Sequence, residues 1–269
     1  MLDGGLSNAL QDRGNDLSGD EWTARVLREA PDEVVAVHRE YFGAGADVAT
    51  TAGYQTADPG LLRLSVDLAR EAAGGVAGRL VAASVGPYGA VLGDGSEYRG
   101  HYGLTAAELT AFHRPRLEAL VAAGPDLLAV ETIPDTDEAR VLAGLLAEFG
   151  HPAWFSFSVD GTRTCAGQQL DEAFAIVAAV ESIVAVGVNC CAPSAALPAL
   201  SIAAATGRPG VVYPNAGEVW DAEREQWIGT GTFDVHLVPA WIEAGAEWIG
   251  GCCRVGPAAI RRVAEVVRA

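Results

Sequence analysis

The sequence contains no lysine, since all 18 of its basic residues are arginine. Without a lysine amine the chain cannot form a Schiff base, hold pyridoxal phosphate or build a P-loop. Acidic residues number 35, so the formal net charge is -17 at pH 7. A protein this acidic is not expected to bind a nucleic-acid backbone or an anionic membrane surface, because both carry negative charge. We therefore expect small molecules as its partners.

Long apolar runs and a targeting segment are also missing. No run approaches the roughly 18 apolar residues of a membrane-spanning helix. The segment Met1 to Gly5 has neither the basic nor the apolar region of a secretory signal. The five cysteines are an odd number at scattered positions, which fits reduced thiols, metal binding or catalysis better than a disulfide framework. We expect a cytoplasmic protein, either a monomer or a small homo-oligomer.

Short apolar runs recur along the chain, each followed by a longer amphipathic stretch. The predicted strands are the residues just before Asp3 and the runs Asp47 to Thr51, Leu80 to Gly86, Leu127 to Glu131, Ala153 to Val159, Ala185 to Cys190, Gly210 to Asn215 and Trp248 to Cys252. The predicted helices are Asp32 to Gly43, Leu61 to Ala77, Thr105 to Ala123, Thr136 to Phe149, Leu170 to Val180, Ser194 to Thr206, Asp234 to Ala244 and Pro257 to Arg268. This alternation predicts an α/β fold, a parallel (β/α)8 TIM barrel. Because 269 residues match the length of one barrel, about 250 residues, we expect residues 1-269 to form a single domain.

Local signals refine the ends of these helices. Thr105, followed three positions later by Glu108, predicts a capping box. Pro257 is expected at the first position of the last helix, and Gly43 at the end of the first.

Other polar segments are assigned to loops. The two longest connections, Tyr88 to Gly103 and Gly217 to Gly231, are expected to be functional loops. The runs Asp16 to Glu21 and Asp221 to Glu225 are expected to be solvated. The histidines fall in helical or loop contexts, which predicts packing or solvated roles: His38, His101, His113, His151 and His236.

Two adjacent cysteines, Cys252 and Cys253, end the last predicted strand. Adjacent thiols suit a closed structural zinc site poorly, because such sites use pairs spaced by two to four residues. A catalytic zinc takes three protein ligands and keeps a fourth position open. Cys190 ends another predicted strand, roughly two βα units earlier, and supplies the third thiol. The sequence therefore predicts a three-thiolate zinc site made of Cys190, Cys252 and Cys253.

The two remaining cysteines, Cys165 and Cys191, are expected to be small buried side chains, the common role of a lone strand-end cysteine. One alternative remains open for Cys191. If it closed the zinc site as a fourth ligand, the chain would be a non-catalytic metal-binding or thiol-binding barrel.

Polar or small residues close the predicted strands. They are Asp3 to Gly5, Thr50 and Thr51, Ser84 to Gly86, Glu131 and Thr132, Asn189 and Cys190, Tyr213 to Asn215, and Cys252 and Cys253. In a barrel these positions converge on one mouth. The carboxylates of Asp3 and Glu131 suit an ammonium group, and the glycine-flanked backbone N–H groups suit a carboxylate, which together predicts a pocket for a free amino acid. The alternatives are an N-terminal turn for Asp3 and a structural ion pair with an arginine for Glu131.

Several longer motifs surround these residues. They are Asp3 to Leu6, Thr50 to Gln55, Ser84 to Gly89, Asp94 to Tyr98, Glu131 to Pro134, Gly187 to Cys190, Tyr213 to Glu218 and Gly250 to Cys253. In this order, and over nearly the whole chain, they resemble the homocysteine S-methyltransferase family. The chain departs from the family pattern at Gly53, commonly serine or threonine, and at Cys191, commonly a small polar residue or proline.

The resemblance implies a zinc-dependent enzyme of methionine biosynthesis that methylates the thiol of homocysteine. The family's metal ligands correspond to Cys190, Cys252 and Cys253. Its substrate-binding residues fall on Asp3 and Glu131 for the ammonium group, on Thr50 and Ser84 for the rest of the amino-acid head, and on Tyr54 near the metal and the methyl donor.

The chemistry also follows from the residues themselves. A free thiol of pKa about 8.5 is mostly protonated at neutral pH, whereas zinc deprotonates a thiol that it binds. A methyl group on a sulfonium or ammonium donor then transfers in line without a general base, and the acidic mouth suits a cationic donor. S-methylmethionine or S-adenosylmethionine fits best, because the chain carries no cobalamin or folate module. Betaine as the donor, and another thiol or a selenol as the acceptor, are the alternatives.

Overall fold

The computed structural model describes residues 1–17, 22–221 and 226–269. Its strands are β1 (Val48–Thr50), β2 (Leu80–Val85), β3 (Leu127–Ile133), β4 (Ala153–Phe157), β5 (Val159–Asp160), β6 (Arg163–Thr164), β7 (Ile183–Asn189), β8 (Gly210–Tyr213), β9 (Val219–Asp221), β10 (Gln226–Ile228) and β11 (Ala246–Ile249). Its α-helices are α1 (Leu6–Asp12), α2 (Trp22–Glu29), α3 (Pro31–Ala44), α4 (Pro59–Ala73), α5 (Tyr88–Leu92), α6 (Ala106–Ala123), α7 (Thr136–Phe149), α8 (Leu170–Ala178), α9 (Pro193–Ala203), α10 (Val238–Glu243) and α11 (Pro257–Val267). Short 3-10 turns span Ser96–Tyr98, Ala204–Thr206 and Val235–Leu237.

Seven of these strands form one parallel sheet, in the order β1-β2-β3-β4-β7-β8-β11. The two edges of the sheet meet at the N-terminus. Leu2 forms a parallel bridge with Val48 of β1, and its N–H donates to the carbonyl of Ile249 in β11 at 2.8 Å. The predicted first strand is thus reduced to one bridging residue that joins both edges, as a (β/α)8 barrel requires.

The contact at this seam depends on Gly250. A Cβ atom at that position would lie 2.6 Å from the Cβ of Leu2 and 2.7 Å from the carbonyl oxygen of Asp3. A larger residue would therefore push the N-terminal segment away from β11, and Asp3 would move with it.

Side chains alternate across the barrel wall, as the period of a strand requires. In β3, Leu127 and Ala129 face the interior cluster, whereas Leu128 and Val130 pack among the surrounding helices. The interior cluster is made of small residues together with large side chains such as Trp154 and Tyr213. These rings fill the interior of the barrel.

The predicted strands and helices correspond closely to the observed ones. The capping box of Thr105 and Glu108 is present, and Pro257 occupies the first position of α11. The prediction for Gly43 was wrong. Helix α3 continues through Ala44 and ends at Gly45, which adopts a left-handed φ of 106°.

Several elements were not predicted. They are α1, α2, α5, the hairpin of β5 with β6, and the antiparallel pair of β9 with β10. The predicted charge runs Asp16 to Glu21 and Asp221 to Glu225 lie largely outside the described residues. Within the described part of the chain, no helix has the length and apolar character needed to cross a membrane.

Candidate functional site

Three cysteine thiols meet at the mouth of the barrel. The Sγ of Cys252 lies 3.0 Å from the Sγ of Cys190, and the Sγ of Cys253 lies 3.6 Å from it. Among the described residues, these three form the group whose ligand atoms are near enough to hold one metal ion, all within 4.8 Å of one another. The sequence prediction for this cluster therefore agrees with the geometry.

The ends of the neighbouring strands hold each thiol in place. Cys190 follows β7 directly, in a left-handed conformation with φ 50°, and its N–H donates to the carbonyl of Tyr213 at 3.2 Å. The N–H of Cys252 donates to the carbonyl of Pro214 at 2.8 Å, and that of Cys253 to the Oδ1 of Asn215 at 3.2 Å. The residues that follow β8 thus position all three cysteines.

The three thiols differ in how readily each loses its proton. Hydrogen bonds from Cys252 and then Cys253 lower the pKa of the Cys190 thiol well below its ordinary value. The same hydrogen bonds to Cys190 raise the pKa of Cys252 and of Cys253. Cys190 is therefore the first of the three to become a thiolate.

The donor set fits zinc. Sulfur atoms bound to one tetrahedral zinc at about 2.3 Å lie roughly 3.8 Å apart. The observed separations from Cys190, 3.0 and 3.6 Å, are slightly shorter, so a small outward movement of the thiols would accommodate the ion. Three thiolates leave one position of a tetrahedral ion open, as catalytic sites require.

The other two cysteines do not belong to this group. Cys191 is buried, and burial raises the pKa of its thiol. Cys165 is partly buried, and burial likewise raises its pKa. Both thiols are therefore disfavoured as anionic ligands, in keeping with the packing role expected for them.

Two buried carboxyl groups lie beside the thiols. The backbone N–H of Thr50 donates to Asp3 at 2.8 Å, and the hydroxyl of Ser84 donates to Glu131 at 2.5 Å. Burial raises the pKa of Asp3 to about 7. Burial also raises the pKa of Glu131 to about 8, and the charges of Cys190 and Asp3 add to this effect. An ammonium ion placed between these acids would reverse both shifts, because a nearby positive charge favours the carboxylate.

The other predicted contacts surround the same space. Ser84 serves the site by orienting Glu131, whereas Thr50 contributes its backbone N–H to Asp3. The Oη of Tyr54 is buried without a hydrogen-bond partner among the described residues. Gly86 makes room for this tyrosine, since a Cβ there would lie 2.7 Å from its ring.

A network of polar side chains below the thiols had no predicted role. Asn189 accepts hydrogen bonds from the N–H of Thr132 at 2.7 Å and the hydroxyl of Ser156 at 2.8 Å. The hydroxyl of Tyr213 lies 2.8 Å from that of Ser156 and accepts from the Nε1–H of Trp154 at 2.9 Å. Tyr213 also interacts electrostatically with Glu131, so the network reaches from the barrel interior toward the acid that lies by the thiols.

A second unpredicted contact comes from the loop after β2. The Oη of Tyr98 lies 3.2 Å from the Sγ of Cys190. Tyr98 belongs to the motif Asp94 to Tyr98, which the sequence marked as characteristic without assigning a function to it. That motif was the only available signal, because the contact joins segments far apart in the chain.

Known proteins with similar sequences and structures identify the family of this chain. The sequence profile of the homocysteine S-methyltransferase family matches residues 1–267. The chain is 45% identical to homocysteine S-methyltransferase 4 of Zea mays, over 100% of this chain and 89% of that protein. It is 40% identical to the selenocysteine Se-methyltransferase of Brassica oleracea var. italica, over 98% of this chain and 87% of that protein.

One solved structure shares the fold across the whole of this chain. The metallated form of the homocysteine methyltransferase MmuM from Escherichia coli superposes with a TM-score of 0.87, at 39% identity, covering 100% of this chain and 95% of that one. The profile match and the identity over the full chain establish the relationship. The chain belongs to the homocysteine S-methyltransferase family.

Proposed function

We propose that this chain binds one zinc ion through Cys190, Cys252 and Cys253 and transfers a methyl group from a sulfonium donor to the thiol of homocysteine, forming methionine. The observation that carries this proposal is the meeting of three thiols with two buried, raised-pKa acids at one mouth of the barrel. Metal ligands and ammonium-binding groups are both needed to hold a thiol-bearing amino acid.

Asp3 and Glu131 would bind the ammonium group of homocysteine. Both are buried, and neither has an arginine partner among the described ion pairs, so a ligand is the fitting source of positive charge. Thr50 and Ser84 hold the two carboxylates in place through their hydrogen bonds. The side chain of the amino acid would then extend toward the thiol cluster.

A free thiol with a pKa of about 8.5 is mostly protonated at neutral pH. When bound, zinc would keep the homocysteine sulfur deprotonated at that pH. The cysteines hold that sulfur in a fixed place, and the acids hold the other end of the amino acid. Fixing both ends places the nucleophile for attack and accounts for much of the rate enhancement.

The transfer itself needs no protein base. A lone pair of the thiolate forms the new sulfur–carbon bond, and the bond from the methyl carbon to the donor sulfur breaks with its electron pair. The sulfonium donor leaves as a neutral thioether. S-methylmethionine and S-adenosylmethionine are the donors that this chemistry favours, because each carries its methyl group on a positively charged sulfur.

A selenol acceptor is a second candidate, since a relative that is 40% identical is named for methylating selenocysteine. A selenol is deprotonated more readily than a thiol, so the same pocket would accept it. Selenocysteine is one carbon shorter than homocysteine. Comparing the activities with the two acceptors would therefore report how far the acids lie from the metal.

The test is an assay of methionine formation by the zinc-loaded protein, with homocysteine as the acceptor and S-methylmethionine or S-adenosylmethionine as the donor. Cys252→Ser should lose both zinc and activity. Cys191→Ser is the matched control and should keep both, because Cys191 lies outside the thiol group. Activity that survives in zinc-free protein would overturn the proposal.

A further inference from the structure

A short 3-10 turn, Ser96–Tyr98, lies over the thiol cluster. The Oη of Tyr98 reaches the Sγ of Cys190 at 3.2 Å. The carbonyl of Glu97 accepts a hydrogen bond from the hydroxyl of Ser158 at 3.3 Å. A Cβ at Gly89 would lie 2.5 Å from the backbone nitrogen of Glu97, so the turn packs directly against α5. The backbone of Glu97 is therefore held in place on both sides.

One carboxylate oxygen of Glu97 lacks a partner. Its Oε2 is buried and makes no hydrogen bond with the described residues. Arg99 is the nearby cation, but its guanidinium is 63% exposed and lies 3.6 Å from the carboxylate of Asp94. A partly buried carboxyl group with one buried, unpartnered oxygen costs free energy that a ligand can recover.

Glu97 directly precedes Tyr98, whose hydroxyl contacts Cys190, so its carboxyl group lies near the reactive end of the site. The charge of Cys190 raises the pKa of Glu97, in addition to the larger effect of burial, which brings it to about 7. Burial and then the charge of Glu97 raise the pKa of Tyr54, whose Oη is likewise buried without a hydrogen-bond partner among the described residues. Glu97 is thus within electrostatic reach of both residues that enclose the position of the incoming methyl group.

The proposed function uses two buried acids, Asp3 and Glu131, and leaves the partly buried Glu97 without a role. Asp3 and Glu131 suffice for the single ammonium group of homocysteine, and both lie on the barrel strands or the N-terminal segment. Glu97 lies on a different segment, in the turn whose Tyr98 contacts Cys190. A sulfonium donor brings a further positive charge into this same space.

We propose that Glu97 binds the sulfonium charge of the methyl donor and so makes the site selective for cationic donors. This inference rests on the proposed function, because it presupposes that the donor approaches the thiols from the side of the loop. It assigns Glu97 a role in binding the donor and none in binding homocysteine.

The reaction removes the charge that Glu97 would bind. Methyl transfer turns the sulfonium into a neutral thioether, so the carboxylate stabilises the bound donor more than the transition state. An interaction of this kind lowers KM for the donor without raising kcat. Loss of the Glu97 charge should therefore weaken donor binding and leave kcat equal or higher, a pattern that mere distortion of the site would not produce.

The experiment compares Glu97→Gln with Asp94→Asn. Asp94 lies on the same loop and is exposed, and asparagine can still cap the turn through its Oδ1, so this control removes an equal charge without touching the buried carboxyl group. Both variants are loaded with zinc, and their zinc content and thermal midpoints are matched to the wild type. Calorimetric titration with S-methylmethionine, in the absence of homocysteine, then measures donor binding directly.

We expect Glu97→Gln to weaken S-methylmethionine binding by about tenfold or more, and to change the affinity for methionine, whose sulfur is neutral, by less than about twofold. KM for the donor should rise in parallel while KM for homocysteine and kcat do not worsen. Asp94→Asn should match the wild type throughout. Glu97→Asp, which keeps the charge, should recover part of the lost affinity, and Glu97→Ala replaces Glu97→Gln if that variant does not fold.

Unchanged S-methylmethionine affinity in Glu97→Gln would overturn the inference, as would an equal loss of methionine affinity or a fall in kcat with KM unchanged. These results leave the proposed function standing if the wild type still forms methionine. A wild type that forms no methionine with any sulfonium donor contradicts the proposed function itself.

Discussion

The hydroxyl of Tyr98 lies 3.2 Å from the sulfur of Cys190, although 92 positions separate the two residues in the chain. Donation from this hydroxyl favours the thiolate, and it contributes to the low pKa of Cys190. The loop after β2 therefore contacts Cys190, the proposed metal ligand at the end of β7.

Replacing Tyr98 by phenylalanine removes this hydrogen bond and keeps the ring. Zinc affinity should fall by about tenfold or more, because partners that hydrogen-bond a metal ligand typically contribute 10- to 100-fold. Competition with a chromogenic chelator measures the change. Tyr102→Phe is the control, since the Oη of Tyr102, on the same loop, makes no hydrogen bond to the described residues. Equal zinc affinities in all three proteins would show that the Tyr98 contact does not support the metal.

Glu131→Gln should raise KM for homocysteine by about tenfold or more, because the ammonium group would lose one of its two carboxylates. Ser84→Ala should have a smaller effect in the same direction, since it removes the hydrogen bond that orients Glu131. Steady-state kinetics at saturating donor measures both. Glu148→Gln, at an exposed acid paired with Arg114, is the control and should leave KM unchanged. If KM for homocysteine stays the same in Glu131→Gln, this acid does not bind the ammonium group.

Asn189→Ala should reduce the free energy of unfolding by about 3 kcal/mol, because the substitution leaves the N–H of Thr132 and the hydroxyl of Ser156 buried without this acceptor. Urea unfolding of the metal-free protein measures the loss. Ser201→Ala, which removes an exposed hydroxyl bonded to a carbonyl of its own helix, should cost less than about 0.5 kcal/mol. A similar, small loss in both variants would contradict the importance of the network.

Much of this fold could be predicted from the sequence, because each barrel strand is a short apolar run with its own turn signals. Helix α7 begins and ends at the predicted residues, where a capping Asp135 and a left-handed Gly150 mark its limits. The end of α3 was misplaced because Gly43 and Gly45 offer two equivalent stop signals, and only the chain's path toward β1 distinguishes them. Helices α1, α2 and α5 are too short to give a periodic signal.

The thiol cluster was also predictable, because strand ends in a barrel converge and its cysteines follow two of them, β7 and β11. The contact of Tyr98 with Cys190 was not, since it depends on how a loop folds over the mouth. The hydrogen bonds of Asn189 were equally hidden, because they depend on which face of β7 and β4 points inward at that level of the barrel.

One of the histidines, His38, has a packing role in the structure. His38 is fully buried in α3 and its two ring nitrogens have no hydrogen-bond partner among the described residues, so its role is packing. Burial lowers the pKa of His38 to about 4. In the unfolded chain the histidine has its ordinary pKa near 6.5. Between about pH 6.5 and pH 4 the unfolded chain therefore binds a proton at His38 that the native state does not bind. His38 therefore costs stability as the pH falls from about 6.5 toward 4.

His38→Leu should remove this part of the acid sensitivity. Relative to its own value at about pH 7, the variant should lose about 2 kcal/mol less unfolding free energy at about pH 4.5 than the wild type loses. Urea unfolding of the metal-free proteins measures the difference. His236→Gln, at an exposed position, should follow the wild type. Parallel pH profiles for wild type and His38→Leu would show that His38 is not held neutral.

Zinc K-edge X-ray absorption on the zinc-loaded protein, with and without homocysteine, tests directly whether the three thiols form an open zinc site. An open site made of Cys190, Cys252 and Cys253 predicts one zinc per chain with three sulfur neighbours and one lighter atom, changing to four sulfur neighbours when homocysteine binds. Four sulfur neighbours before homocysteine is added, or a zinc shell that homocysteine does not change, would contradict the account.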